Sequence, residues 1–413
     1  MRGRYLLFRF CALLFFFVLS SFCLRASSDL PNDIELNTKL NLFASSAKTP
    51  KHFLNKYKNS SLKFDIDFTY WLIDKFYFNF LPYIQHSYDI TNQDKTQTKA
   101  RIWQAYFSYN SEDFNFTFGR FDFTDRALAP YIYYGDNLNR DLSLPTSLDG
   151  LKHSFISKYF DYTLLAAREA QIDNYKKADL AGSKITVKPF SWINFSGFYF
   201  LQNKKYSETR KNTEINLSVY GAGLDLFFQE DAGINFYFAK NGGRQKITRP
   251  SGSQTEEYKG YAFNGEIYFQ KSHKTGNLKN KIGFYLFSDK DDFYSFPNKL
   301  NTGIIWGGMN YAGTFPKIPK IIYADFNFNF KKYPFLFAGA GIFMYVSKKE
   351  DVASNQTYYA REINLNTGLK FDTCGFVLSG GLFDGEAFFL GETSTDKQKV
   401  KKIQANFFYK FSI

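Results

Sequence analysis

The feature that most constrains this chain is a strict alternation of apolar and polar side chains, repeated along most of its length. Leu62, Phe64, Ile66, Phe68, Tyr70 and Leu72 interleave with Lys63, Asp65, Asp67 and Thr69. Phe76, Phe78, Phe80, Pro82 and Ile84 resume the pattern after Ile73-Asp74-Lys75, and 323–330, 363–371 and 403–413 repeat it. Successive side chains of an extended chain point to opposite faces, so each segment has one greasy and one wet surface. About 18 such segments of roughly ten residues follow one another, the strand length of a tilted membrane barrel. No long segment shows a helical period.

Composition narrows the choice. Phe 50 and Tyr 30 exclude an intrinsically disordered chain, which would be poor in aromatics. The mean hydropathy of −0.35 excludes a bundle of membrane helices. Gly 28, Pro 11 and Cys 3 exclude collagen-like and disulfide-stapled scaffolds. What remains is a large sheet with a greasy face on nearly every strand. In a soluble sandwich that face would pack on a second sheet. In a barrel of about 18 strands the lumen admits water, so polar faces turn inward and lipid covers the aromatic ones.

The connections carry a second signal. Short links at Ser111-Glu112-Asp113, Phe160-Asp161, Pro189-Phe190-Ser191, Glu230-Asp231-Ala232, Lys331-Lys332-Tyr333 and Thr373-Cys374-Gly375 alternate with long polar stretches at 121–147, 241–258, 290–317 and 389–398. Outer-membrane barrels have short periplasmic turns and long extracellular loops, whereas a soluble sandwich has no need of the alternation. The expected fold is therefore all-β: a transmembrane antiparallel β-barrel of about 18 strands in a bacterial outer membrane. Closure leaves no strand edge unpaired in hydrocarbon. The final alternating strand also resembles the C-terminal assembly signal of such proteins, with Ile413 in place of the usual Phe or Trp.

The first residues read differently. Basic Arg2, Arg4 and Arg9 precede an apolar run ending at Leu24, and small residues follow, which describes a signal peptide over 1–26 cleaved after Ala26. The expected mature domain is 27–413. Cys11 and Cys23 leave with the signal, so Cys374 has no intrachain disulfide partner. Four Arg leave too, and the formal charge falls from +13 to +13 − 4 = +9. That balance fits either polyanionic partners or a Lys-rich composition without consequence.

Three motifs then occur in order: Gln104-Ala105-Tyr106 in an aromatic strand, Gly119-Arg120 closing another, and Asp149-Gly150 opening the next. This arrangement resembles the alginate-export family of outer-membrane porins, although Phe121 stands where the family often has Gln. The resemblance implies a monomeric 18-stranded barrel and brings Arg120 and Asp149 together where the third long loop leaves and returns. It also implies a passive channel for small or oligomeric solutes, anionic or sugar-like.

The loop at 121–147 contains Arg126 and Arg140 with Tyr131, Tyr133 and Tyr134. Folded into the lumen, it would narrow the pore and offer charge for carboxylates and flat rings for sugars. Lys152, Arg168, Lys184 and Lys188 are further basic candidates for the pore lining. Lys184 and Lys188 alternate with Ile185 and Val187, which turns them toward water; Arg168 has Leu and Ala on both faces and no readable direction.

Enzyme signals are poor. His52, His86, His153 and His273 have no metal-ligand spacing, and the neighbours His153 and Ser154 point to opposite faces. Gly221-Ala222-Gly223 and Gly339-Ala340-Gly341 lie inside strands with no helix to follow, so they are no nucleotide loops. No reaction, metal or cofactor is expected, and no nucleic-acid module; the expected surroundings are outer-membrane lipid and lipopolysaccharide. The alternatives are an unselective general porin and a closed barrel acting as a surface adhesin or scaffold through its loops.

Overall fold

The computed structural model describes residues 34–48, 57–89, 96–134, 146–170, 176–208, 211–229, 231–288, 320–351, 354–386 and 397–412. The signal sequence expected over 1–26, Arg140, and the long stretches expected at 290–317 and over most of 389–398 lie outside them. The described chain is strand after strand: β1 (Ile34–Lys48), β2 (Tyr57–Ile73), β3 (Phe76–Asp89), β4 (Thr96–Asn110), β5 (Phe114–Phe121), β6 (Leu148–Ile156) and β7 (Phe160–Glu169). β8 (Lys176–Phe190), β9 (Ile193–Glu208), β10 (Lys211–Gln229), β11 (Ala232–Arg249), β12 (Gly252–Tyr258) and β13 (Tyr261–Ser272) follow. β14 (Gly276–Phe287), β15 (Lys320–Phe330), β16 (Leu336–Asp351), β17 (Ser354–Lys370), β18 (Cys374–Glu386) and β19 (Lys397–Ser412) complete the sheet.

Every pairing is antiparallel between neighbours, and β1 closes the sheet on β19 from Asn37↔Ser412 to Lys48↔Lys401. β12 and β13 are one interrupted strand. Gly243↔Tyr258 and Lys240↔Tyr261 keep a single register against β11 across the break at Lys259-Gly260. The wall is thus a closed barrel of 18 staves, as the alternation predicts.

Burial follows strand parity. On β2, Lys63, Asp65 and Thr69 are buried toward the interior while Tyr70 and Leu72 are exposed outside. On β8 the exposed Ile185 and Val187 face outward, and on β9 the exposed Phe195, Tyr199 and Leu201 alternate with buried Ser196, Phe198, Phe200 and Gln202. An outer wall of Leu, Ile, Phe and Tyr around a polar interior is stable only with hydrocarbon outside. No helix among the described residues is long and apolar enough to cross a membrane; the strands do the crossing.

Several turns fall near but not at their expected places. The Phe160-Asp161 link is strand, and the chain reverses at 157–159, where Ser157 Oγ donates to Phe160 O at 2.6 Å and accepts from Phe160 N at 3.1 Å. Asp161 reads as a turn residue but is a lumen-side strand residue paired with Lys188. β8 runs on through Phe190 to turn at Ser191-Trp192, and β18 already begins at Cys374.

The expected loop at 241–258 is a larger correction. It is a β-hairpin continuing β11 upward and returning as β12. Both its faces are polar and exposed from Ser251 to Glu257, because above the membrane no lipid demands an apolar side. There Lys259, 2.6 Å from Glu257, holds that carboxyl below its usual range.

Candidate functional site

Residues 122–134 do not stay outside the barrel. They leave the top of β5, dip into the lumen and dock on the inner faces of β8 to β13. A single bridge closes the excursion, with Phe123 N donating to Tyr134 O and Tyr134 N to Phe123 O, both at 2.8 Å. At its tip Asp125 Oδ1 accepts from the backbone of Ala127 (2.9 Å) and Leu128 (3.2 Å), an Asx turn that starts a helical bend. Ile132 N then donates to Leu128 O at 2.7 Å.

The bend has one apolar side, and that side makes the contact. Leu128, Tyr131, Ile132 and Tyr134 are all at most 1% exposed. Tyr131 stacks on Phe198 with ring centroids 5.7 Å apart, and Phe123 packs on Phe200 at the same separation. The single hydrogen of the Tyr131 hydroxyl is shared between the acceptors Tyr237 O and Asn264 Oδ1, and Gln202 Nε2 donates to Tyr134 Oη at 3.0 Å. A loop expected to expose tyrosines to solutes instead spends Tyr131 and Tyr134 as anchors.

Charges pin its polar side. Lys184 Nζ lies 2.7 Å from Asp125 Oδ2, and Arg126 Nη2 lies 2.8 Å from Glu266 Oε1. Glu266 also accepts from Lys281 (3.1 Å) and from the Tyr323 hydroxyl (2.8 Å). Its own side chain is 15% exposed, whereas that of Arg126 is 69% exposed, with its guanidinium 6.0 Å from the Tyr268 ring centre. Nearby, Tyr237 Oη donates to Asp225 Oδ2 at 2.8 Å. The charge most open to water along the docked loop is therefore that of Arg126.

The remaining expected residues divide three ways. Lys152 turns inward beside the Phe121 ring, 5.8 Å away, close to where the loop departs. Lys188 also turns inward, but at the periplasmic mouth, bonded to Asp161 at 2.7 Å and to Ser157 O at 3.2 Å. Arg120 and Asp149 form the expected pair, a bidentate fork at 2.6 and 2.8 Å. Yet the pair faces away from the lumen: Thr117 and Phe121 are buried on the inner parity of β5, and Phe118, on Arg120's parity, is 56% exposed. Arg168 shares that outward side, opposite Asp149 and 2.7 Å from Asp179. As pore-lining groups these three are corrected to the outer wall; Arg120, Asp149, Arg168 and Asp179 alternate in sign across β5 to β8.

Glu266, Lys281, Asn264 and Tyr237 belong to the site and were not singled out in the sequence. For Asn264 and Glu266 the signal was the parity of β13, where exposed Phe263, Ile267 and Phe269 leave them inside; exposed Phe236 on β11 and Ile282 on β14 do the same for Tyr237 and Lys281. On the opposite wall Lys63 Nζ lies 4.5 Å over the Trp103 ring, whose Nε1 donates to Asp122 at 2.7 Å. No group of three or more metal-ligating side chains occurs among the described residues.

No family model and no curated protein matches the sequence. Solved structures do match in fold. The crystal structure of Pseudomonas aeruginosa OpdQ superposes with a TM-score of 0.59 at 11% identity, covering 93% of this chain and 100% of that one. Acinetobacter baumannii OccAB4 gives 0.59 at 11% identity over 92% and 99% of the two chains. Pseudomonas aeruginosa OpdO gives 0.58 at 10% over 94% and 99%. At such identities the likeness concerns the fold: a closed antiparallel barrel of 18 strands, the architecture of the bacterial outer membrane.

Proposed function

We propose that the protein is a passive diffusion channel of the outer membrane, a porin for small or oligomeric solutes that are anionic or sugar-like, in the manner of the alginate-export family its motifs resemble. The observation that carries this reading is the loop at 122–134, anchored inside the lumen with Arg126 as its most open charge. An anion nearing Arg126 meets a guanidinium with several free N–H groups, and a sugar ring meets the adjacent face of Tyr268. Lys184 and Glu266 hold the loop, so the narrowed cross-section is fixed in place. Conduction down a gradient requires no reaction and no cofactor.

Planar-bilayer recordings on the purified protein test it. The expected result is steady single channels with a reversal potential shifted toward anions, and a current that uronate oligomers reduce more than neutral sugars do. Absence of conductance refutes the channel, and preference for cations refutes the anionic reading. An unselective porin is the second reading, favoured by Glu266 lying between Arg126 and Lys281 and offsetting part of their charge. It predicts equal blocking by charged and neutral sugars.

A further inference from the structure

The outer wall bears a basic stripe beside two grooves, and neither feature is used by the channel. On β11 the inward residues Ala239 and Asn241 are buried, so Lys240, Arg244 and Lys246 alternate onto the membrane face, all exposed. None of the three makes an ion pair among the described residues. Glu257, opposite Arg244, is engaged by Lys259 at 2.6 Å.

Lys240 is flanked across both neighbouring strands by exposed tyrosines, Tyr220 on β10 and Tyr261 on β13. It stands nine residues above the turn at Asp231. At about 2.5 Å of height per tilted residue this is roughly 23 Å, near the top of a hydrocarbon band about 25 Å tall. Lys246 lies some 15 Å higher by the same measure. The stripe thus begins at the outer headgroup boundary and rises above it.

The grooves adjoin it on the same outward parity. One, of about 610 Å³, is floored by Ala166, Ala181 and Ser218 and walled by Leu201. The other, of about 450 Å³, lies around Ala222 between Tyr220 and Phe238. They share Tyr199 as a partition. The Ala222 groove lies in the extracellular half of the hydrocarbon, with Tyr199 and Phe238 seven positions above their periplasmic turns, whereas the other rises to the level of the basic stripe, Ser218 pairing with Gly242 above Lys240 and Asp179 lining its far side.

From this we infer a specific site for one outer-leaflet lipid, a glycolipid bearing more than one phosphate, with an acyl chain in the Ala222 groove, the sugar head over the upper groove and phosphates on Lys240, Arg244 and Lys246. Charge complementarity selects the head: Glu214, opposite Lys246, is engaged by Lys205 at 3.4 Å, and the three cations, without an ion pair among the described residues and spread over about 20 Å of strand, span more than a single phosphodiester. Tails are as apolar as the wall, so burial alone gives no preference over bulk lipid; the selectivity lies in groove fit and the charged head. This site is independent of the channel reading, and either stands if the other fails.

The test is native mass spectrometry of the full-length protein in detergent. The probes are a diphosphorylated hexa-acyl glycolipid, its monophosphorylated form and phosphatidylglycerol. The expected result is one tightly retained diphosphorylated glycolipid per chain, with retention of the others weaker. Combined Lys240→Gln, Arg244→Gln and Lys246→Gln lowers its affinity by about tenfold or more, and Ala222→Leu lowers it separately. Both variants keep wild-type conductance and heat-modifiable migration on gels, which shows that the barrel is intact. Equal retention of phosphatidylglycerol, undiminished binding by the triple variant, or a second copy of the chain on this face in place of lipid overturns the site.

Discussion

Truncating one anchor of the lumen loop tests the pore geometry most directly. Tyr131 is 1% exposed, stacks on Phe198 and bonds to Tyr237 O and Asn264. Replacing a buried aromatic by alanine costs about 3–5 kcal/mol. Here that loss falls on the docking of 122–134 and not on the barrel, because Tyr131 belongs to no stave. At about 1.4 kcal/mol per factor of ten, the ratio of docked to released loop falls by between two and four powers of ten. Tyr131→Phe keeps the stacking and leaves Tyr237 O and Asn264 without that donor, a loss of about 1–3 kcal/mol. Single-channel recordings of both variants are the assay. Tyr131→Ala is expected to raise the mean conductance and add flicker as the loop leaves the wall, and Tyr131→Phe to stay near wild type. If Tyr131→Ala conducts with unchanged amplitude and noise while folded by gel shift, the loop does not define the constriction.

Three further outcomes follow from the same geometry. Arg126→Glu reverses the most open charge of the docked loop, so the reversal potential in a salt gradient moves toward cation preference; an unmoved potential places Arg126 outside the current path. Ile185→Lys puts a charge on the lipid face, six residues above its turn, and costs about 2–4 kcal/mol, read as a lower urea midpoint in lipid vesicles. The neighbouring lumen change Thr186→Lys leaves that midpoint nearly unmoved, and equal effects contradict the assigned parity. Gly119 has φ +126° and an added Cβ would lie 2.4 Å from Ala105 O, so Gly119→Ala destabilises the barrel by more than about 1 kcal/mol. An unchanged midpoint in the same titration contradicts that strained backbone.

Most of the wall was legible in the sequence because lipid enforces a period of two. Lys184 and Lys188 turned inward as their apolar neighbours dictated, and Arg120 met Asp149 as the resemblance implied. Parity fails where the two faces carry similar residues, as around Arg168, with Leu164 and Ala166 on one side and Leu165 and Ala167 on the other. It also fails above the membrane, where the β11–β12 hairpin is polar on both sides and reads as a loop. The site itself was only half legible. Entry of the loop into the lumen stood only as a condition for narrowing the pore, and its partners Glu266, Asn264 and Tyr237 lie more than a hundred residues away, where no local pattern marks which wall a loop will choose.

The pairing of β1 with β19 has a consequence for biogenesis. Among the described strands β1 and β19 are the farthest apart in sequence, and only their pairing turns the sheet into a cylinder. Until then both rims of a nearly finished sheet carry a row of unsatisfied amides and carbonyls inside a solvent that offers them nothing. Damage to β19 is therefore expected to abolish maturation outright, in an all-or-none manner, where comparable damage to an extracellular loop leaves a shortened but sealed cylinder.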